Sequence, residues 1–212
     1  MKKITDTVSA VTVMLCIMSL AVVLTLAFRP LYYFDIDYLE IEESSGYPEK
    51  EIRENYDALI SYNLSPFEKK LEFPSFPMSE EAEIHFTEVK NIFQFFLKLC
   101  CICGPVSVIL IMWKRKREEY GYLKAAGIAT IAVPAVMGLF IGLNWERAFV
   151  LFHELVFQND YWIFDSAADP VINILPDRFF LHCAVMILGI IAAGAAVCLA
   201  GYSIGKRKGG KS

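Results

Sequence analysis

Histidines are the side chains best suited to acid–base chemistry near neutral pH, and this chain has three of them: His85, His153 and His182. An imidazole titrates in the physiological range, so two of them together can carry a proton between atoms of a substrate. Because His85 and His153 lie in acidic segments, each on a predicted helix, we interpret them as a candidate proton-transfer pair. His182 lies within an apolar run, and we interpret it as a polar residue satisfied between helices, with membership of the pair as the alternative.

These histidines could instead bind a metal ion. Neither H-x-x-x-H nor H-E-x-x-H occurs in the sequence, and His153-Glu154 alone is too short a match to indicate zinc. The sequence also lacks a G-x-S-x-G nucleophile motif and a phosphate-binding glycine-rich loop. All six cysteines fall in apolar runs, so no disulfide links the segments between those runs. We therefore expect neither a metal nor a cofactor.

The segment that carries His85 is predicted to contain two helices. Residues 49–62 have apolar side chains at helical spacing with charged residues between them. After an extended stretch with two prolines, Ser79 is a predicted N-cap, followed by three glutamates that suit the positive end of a helix dipole. This second helix is expected to continue into an apolar run, with His85 about two turns above the bilayer.

The segment that carries His153 is predicted to form an aromatic-walled pocket at the membrane surface. Phe149, Phe152, His153 and Val156 share one face at helical spacing. Residues 145–180 contain nine of the 29 aromatic side chains. An interfacial aromatic belt explains part of this density, but anchoring alone needs fewer rings.

Apolar runs of about 20 residues, each with at most one charge, predict an all-α membrane protein with four transmembrane helices. The first run is too long for the apolar region of a signal peptide, so we interpret it as a retained anchor. The predicted segments are a cytoplasmic N-terminus (1–7), spans at 8–28, 92–113, 122–144 and 179–205, a basic cytoplasmic loop (114–121), a cytoplasmic tail (206–212), and two extracytoplasmic cap segments (29–91 and 145–178).

The distribution of charge sets the predicted orientation in the membrane. Residues 1–7, 114–124 and 206–212 hold eleven basic side chains and three acidic ones, whereas residues 30–91 hold fifteen acidic and five basic ones. Basic segments stay in the cytoplasm, so both termini are expected there, with a small cap built from the two acidic segments outside. The basic runs are interpreted as topology signals, and no nucleic-acid partner is expected.

The second cap segment resembles the bacterial lipoprotein intramolecular transacylases. The resemblance is carried by Phe152-His153-Glu154-Leu155-Val156-Phe157-Gln158-Asn159-Asp160-Tyr161-Trp162, then Phe164-Asp165, Asp169-Pro170, Leu175-Pro176 and Phe179-Phe180. Weaker support comes from Asn55-Tyr56 with Leu59 and Tyr62, and from Pro77-Met78-Ser79 with Glu83, His85 and Phe86. The sequence departs from the pattern at Glu88, where Asp is common, and at Ser166, where Pro is common.

The resemblance implies an enzyme that moves the sn-2 acyl chain of a diacylglyceryl-cysteine lipoprotein to the α-amino group of that cysteine. The product is a lyso-form lipoprotein. The family's two catalytic histidines map onto His85 and His153. We hypothesise that His85 takes the amine proton and that His153 polarises the carbonyl or protonates the leaving oxygen; the reverse assignment is the alternative. Lesser candidates for binding or orienting are Asn55, Tyr56, Glu83, Glu154, Asn159, Asp160 and Trp162.

The expected partners are a diacylated lipoprotein substrate and membrane lipid, and one site per chain favours a monomer. The alternative is a non-catalytic membrane protein, either a scaffold or a small transporter, whose acidic cap binds a partner. A transporter needs charged or polar groups at mid-span that face a pathway, whereas the predicted spans offer only Lys98 and Lys124 near their ends and scattered Ser, Thr and Cys. A metal-dependent membrane hydrolase is a further alternative, which would lose activity on chelation.

Overall fold

The computed structural model describes residues 2–209, excluding the side chains at 133, 137, 140, 141, 143, 208 and 209. Over that range the chain forms eight α-helices and a short 3-10 helix without a strand, which confirms the predicted all-α class. The helices are α1 (Lys2–Ala27), α2 (Arg29–Tyr38), α3 (Ile41–Ser45), α4 (Glu49–Leu64), α5 (Glu80–Lys116), α6 (Gly121–Leu143), α7 (Trp145–Val156) and α8 (Asp177–Gly209), and the 3-10 helix is Pro170–Ile174. Met1 and residues 210–212, the ends of the predicted cytoplasmic segments 1–7 and 206–212, lie outside the described residues.

Three helices have the length and apolar composition needed to cross a bilayer: Lys2–Ala27, Glu80–Lys116 and Asp177–Arg207. They correspond to the first, second and fourth predicted spans. The third predicted span, 122–144, coincides with α6, in which Gly121–Val136 forms a shorter apolar helix. That α6 crosses the membrane stays a prediction.

The chain divides into two compact units, and the first contains most of the apolar helix length. It consists of the residues up to Val23, Phe96–Phe140 and the residues from Met186 on. A Cβ at Gly194 would come within 2.6 Å of the Ile17 side chain, so the missing side chain lets α8 pack closely on α1. At one end of this unit the buried Lys114 ammonium donates to Asp6 at 2.6 Å and Glu119 at 2.7 Å.

The second unit consists of Leu24–Phe95 and Ile141–Val185, and it contains both predicted cap segments. Its core is aromatic: the rings of Tyr32 and Tyr56 stack with centroids 3.7 Å apart. The Tyr32 hydroxyl also donates to the backbone oxygen of Ile174 at 2.6 Å. These contacts join α2, α4 and the 3-10 helix. The sequence pattern predicted α4 but not the short helices α2 and α3.

The start of α5 is fixed by a cap with a partner from the other cap segment. As predicted, Ser79 is the cap: its Oγ accepts the backbone N–H of Ala82 at 3.1 Å. The carboxylate of Asp169, only 3% exposed, accepts the Ser79 backbone N–H at 2.7 Å and the Ser79 Oγ–H at 2.8 Å. This pair holds the first turn of α5, less than two turns before His85.

Replacing Asp169 with Ala is expected to destabilise the protein by about 3 kcal/mol, because two hydrogen bonds to a buried carboxylate are lost. Thermal unfolding in detergent, followed by circular dichroism, measures the change. Asp165→Ala is the matched control: this exposed carboxylate accepts the nearby Ala167 backbone N–H at 3.0 Å and has no further hydrogen bond among the residues that the structure describes. Equal shifts in Tm for the two variants would contradict the proposed importance of the Asp169–Ser79 pair.

Candidate active site

His85 and His153 lie side by side in the second unit. Their ring centroids are 6.1 Å apart and the ring planes are inclined by 32°. His85 projects from α5 and is 5% exposed, whereas His153 projects from α7 and is half-buried. At this separation both imidazoles can reach neighbouring atoms of one reacting group.

The ring of His153 is oriented by its own helix. Asn144 caps α7, its Oδ1 accepting the backbone N–H of Arg147 at 2.9 Å. One turn before the end of the helix, His153 Nδ1 lies 2.8 Å from the backbone oxygen of Phe149. Because a carbonyl oxygen only accepts, Nδ1 must carry the proton of this hydrogen bond. In the neutral ring, Nε2 is therefore the atom with a free lone pair.

Aromatic rings surround both histidines, as the aromatic density of the second cap segment predicted. Phe157 and Phe164 meet the His85 ring edge-on, with centroids 4.7 and 5.4 Å away. Trp162 stacks on His153 at 4.8 Å. Further contacts come from Phe86 to His85 and from Phe149, Phe152 and Phe157 to His153. Most of these rings belong to α7 and the loop that follows it.

This enclosure changes the acid–base properties of the pair. Burial, together with a smaller effect of the neighbouring His153, lowers the pKa of His85 to about 4. Burial also lowers the pKa of His153, although the hydrogen bond to the Phe149 carbonyl opposes that shift. His85 precedes the predicted span 92–113, so both rings lie outside the apolar runs. Both imidazoles are therefore neutral at pH 7.

Two buried polar atoms in the enclosure have no hydrogen-bond partner among the described residues: His85 Nδ1 and Trp162 Nε1. Buried polar groups in folded proteins are nearly always paired, so such atoms are available to a ligand. The indole Nε1 can only donate, whereas a neutral imidazole both donates and accepts. Beside the His153 lone pair, the indole thus offers a donor and His85 Nδ1 either a donor or an acceptor, according to its tautomer.

Asn159 connects the aromatic loop to α5. Its Nδ2 donates to both carboxylate oxygens of Glu88, at 3.0 and 3.2 Å, and its Oδ1 accepts the Tyr161 backbone N–H at 3.1 Å. Glu88 lies one helical turn after His85. Glu88 is absent from the predicted site residues, although its spacing of three residues from His85 places it near the candidate pair in the sequence.

The structure brings neither Asn55 nor Tyr56 into contact with the histidines. The Nδ2 of Asn55 donates to the Glu51 carbonyl and to the Ser75 hydroxyl, both at 2.8 Å, which ties α4 to the extended stretch before α5. Tyr56 packs in the aromatic core, where burial raises the pKa of its hydroxyl. Both side chains thus have partners within the fold, and their predicted role near the reacting atoms stays a prediction.

The three acidic candidates do not orient an imidazole either. Glu83 forms an ion pair with Lys70 at 3.5 Å and lines a groove of about 350 Å³ on α5, together with Glu80, Ile84, Thr87 and Glu88. Glu154 and Asp160 are exposed, and their carboxylates pair with none of the side chains that the structure describes. The backbone of Phe149 performs the orienting role that the sequence analysis gave to these acids.

His182 has a different partner from the other two histidines. Its Nδ1 donates to the carboxylate of Asp35, at 2.8 and 2.9 Å, and Asp35 is completely buried. This agrees with our interpretation of His182 as a satisfied polar residue between helices. Nothing local in the sequence singled out Asp35, which lies 147 positions away.

A metal ion would need more donors than this pair of rings supplies. Within residues 2–209, apart from the side chains excluded above, no three His, Cys, Asp or Glu residues are grouped in a way that could hold a metal ion. The arrangement that the structure does offer is two neutral imidazoles and an indole N–H in an apolar enclosure. Such a set can move a proton and stabilise a developing oxyanion.

Comparisons with known proteins place the whole chain in a family. The family model described as lipoprotein intramolecular transacylase Lit matches residues 7–180. The solved structure of the membrane integral lipoprotein intramolecular transacylase Lit from Bacillus cereus is similar, with a TM-score of 0.94 and 36% identity over 99% of this chain and 98% of that chain. The structure of that protein with an H85R mutation gives a TM-score of 0.85 at 36% identity, over 97% of this chain and 92% of that chain. The structure with an H85A mutation gives a TM-score of 0.87 at 36% identity, over 99% of this chain and 96% of that chain. A comparison with curated protein sequences finds no match. From its sequence and its structure, this chain belongs to the lipoprotein intramolecular transacylase family.

Proposed function

We propose that this protein moves the sn-2 acyl chain of a diacylglyceryl-cysteine lipoprotein to the α-amino group of the same cysteine. The product is an N-acyl, S-monoacylglyceryl lyso-form lipoprotein. The observation that carries this proposal is the pair of desolvated imidazoles, His85 and His153, 6.1 Å apart in an aromatic enclosure. Family membership supports the class of reaction, and the choice of acyl chain and the roles of the histidines are our proposal.

The reaction balances without a cofactor. A C–N bond forms between the amine and the ester carbonyl, the ester C–O bond breaks, and one proton passes from the amine to the glyceryl oxygen. An ester becomes an amide, which is downhill and needs no ATP. The nucleophile and the carbonyl belong to one molecule, so the enzyme gains rate by holding closed a ring of about eight atoms.

In our proposal His153 is the base. Its Nδ1–H is held by the Phe149 carbonyl, so Nε2 is the free acceptor for the amine proton. The imidazolium that results then returns this proton to the leaving glyceryl oxygen. The sequence analysis favoured the opposite assignment, but a ring as strongly desolvated as His85 is a weak base.

His85 then stays neutral and donates an N–H to the carbonyl oxygen as negative charge develops there. Trp162 is proposed as a second donor, because its Nε1–H is buried without a partner among the described residues and its ring stacks on His153. Asn159 acts indirectly, by holding the loop that carries Trp162 against Glu88. We do not assign a contact with the reacting atoms to Asn55 or Tyr56.

We also retain the predicted arrangement in the membrane as part of the proposal. In it α6 is the fourth span, both termini are cytoplasmic, and the two cap segments form a small extracytoplasmic cap. The diacylated lipoprotein then meets the site from the outer leaflet. Because both histidines come from one chain, a monomer suffices for activity.

The proposed reaction is tested with the purified protein and a synthetic diacylglyceryl-cysteine peptide that carries different acyl chains at sn-1 and sn-2. We expect mass spectrometry to find only the sn-2 chain on the amine, with or without EDTA. An analogue with an sn-2 ether should be inert, and one with an sn-1 ether should react. A free amine on the native substrate after prolonged incubation would reject transacylation and leave the scaffold alternative.

Substitutions can separate the two histidines, since a glutamine can donate a hydrogen bond but cannot serve as a base. We expect His153→Ala and His153→Gln to lose activity equally, by about 100-fold or more. His85→Gln should keep roughly tenfold more activity than His85→Ala. His182→Asn, which retains a donor for Asp35, is the control and should stay within a few-fold of the wild type. Equal activities of the two His85 variants would remove the donor role from this residue.

The pH dependence follows from the direction of both pKa shifts. A histidine pKa that burial lowers keeps the ring neutral, and hence active, as the pH falls through its ordinary value of about 6.5. The substrate amine, with a pKa of about 8, must itself be deprotonated. We therefore expect log kcat/KM to fall with a slope of one below about pH 8 and to show no second break near pH 6.5. A slope of two that begins at pH 6.5 would mean that the base has an unshifted pKa.

A further inference from the structure

The helix that carries His153 exposes most of its apolar side chains. None of the residues of α7 is buried, and Leu155 is 75% exposed, Phe152 49% and Leu151 45%. These three share one arc of the helix by their spacing. We call Leu151, Phe152 and Leu155 the apolar arc.

The rest of the helix surface consists of two further arcs, one mainly charged and one that faces the candidate site. Exposed Glu146, Arg147 and Glu154 lie on a second arc, with Val150 as the apolar exception. Phe149 and His153 lie on a third, which faces the imidazole of His85. An apolar arc next to a charged one is typical of a helix that lies in a membrane interface, because only there do both surfaces meet a suitable solvent.

The length of α7 excludes a transmembrane position. Its 12 residues span roughly 18 Å, too short for a hydrocarbon core of about 30 Å. The helix begins two residues after the end of α6, with Asn144 as its cap. If α6 spans the bilayer as proposed, α7 therefore begins at the membrane surface.

The position of α7 across the bilayer is set by a contact with α8. Trp145 Nε1 donates to the backbone oxygen of Asp177 at 3.1 Å, two residues before the last predicted span begins. A tryptophan at such a boundary is typical of the interfacial aromatic belt. The start of α7 is thus at the level where the apolar part of α8 starts.

We propose that the apolar arc of α7 is immersed among the acyl chains of the outer leaflet, and that the acyl chain of the substrate reaches His153 across it. Phe152 connects the two environments, because its ring is half exposed and also meets His153 edge-on at 5.3 Å. The ester bonds of a membrane lipid lie between headgroup and hydrocarbon, which is the level at which this helix holds its imidazole. The position of the helix stands by itself, whereas the route of the acyl chain rests on the proposed function.

The position of the helix is measured by fluorescence quenching in vesicles of phosphatidylcholine brominated near the glycerol end of the acyl chains. The full-length protein carries Leu155→Trp or, as the matched control on the charged arc, Arg147→Trp. The emission of the three native tryptophans is subtracted with the wild type. We expect the added emission of Leu155→Trp to be quenched by about half, and that of Arg147→Trp far less. Equal quenching of the two variants would overturn the immersion.

The route of the acyl chain is measured by kinetics with Leu155→Glu. Activity on a long-chain diacyl lipopeptide in vesicles should fall about tenfold in kcat/KM, because a charge on the apolar arc opposes immersion. Activity on a short-chain, water-soluble analogue should match the wild type, which also shows that the variant is folded. Arg147→Gln is the control and should behave as the wild type on both substrates.

The outcomes separate this inference from the proposed function and from other occupants of the arc. Equal loss on both substrates would overturn the route through the lipid. If light scattering found a wild-type dimer that Leu155→Glu dissociates, a second copy of the chain would cover the arc, and the proposal would be wrong. Absence of transacylation by the wild type would instead reject the proposed function, and the quenching result would still decide the position of α7.

Discussion

The removal of water from two imidazoles by aromatic side chains is the interaction on which the site depends. The rings of Phe157, Phe164 and Trp162 all come from the loop after α7, and this loop is joined to α5 through the Asn159–Glu88 hydrogen bonds. A neutral imidazole can both accept and donate a proton, whereas a charged one in water can only donate. Packing thus determines the protonation state, and the protonation state determines which steps the pair can assist.

The polar contacts between the two cap segments explain how they form one unit. A chain of about 60 residues buries a smaller share of its surface than a larger domain does, so the longer segment is only marginal as an independent domain. The Asp169–Ser79 and Tyr32–Ile174 hydrogen bonds each join the first segment to the second. His85 and His153 likewise come from different segments, so the site exists only where the segments are assembled.

Local patterns in the sequence predicted the long helices, α4 and α7, though not the short helices α2 and α3, and they singled out His85 and His153 as candidates. The apolar spacing in α4, the Ser79 cap and the aromatic density after Trp145 each depend on neighbours within a few residues. The partners of the polar residues could not be predicted in the same way, because Asp35 and His182 are 147 positions apart and Ser79 and Asp169 are 90 apart. For this reason residues such as Asn55 and Glu83 were placed near the histidines by type alone, and the structure gives them other partners.

The helix α5 is continuous from its cap at Ser79 to Lys116, and it carries His85 seven residues before the predicted span 92–113. The imidazole therefore lies on the same helix as the predicted span, about 10 Å along the helix axis before the apolar run begins. A bilayer whose thickness does not match that run makes such a helix tilt, and tilting lowers or raises everything attached to its end. In the proposed membrane arrangement, lipids with longer or shorter tails would therefore change the height of the imidazole above the bilayer, and with it the level at which the site meets the ester bonds of a lipid substrate.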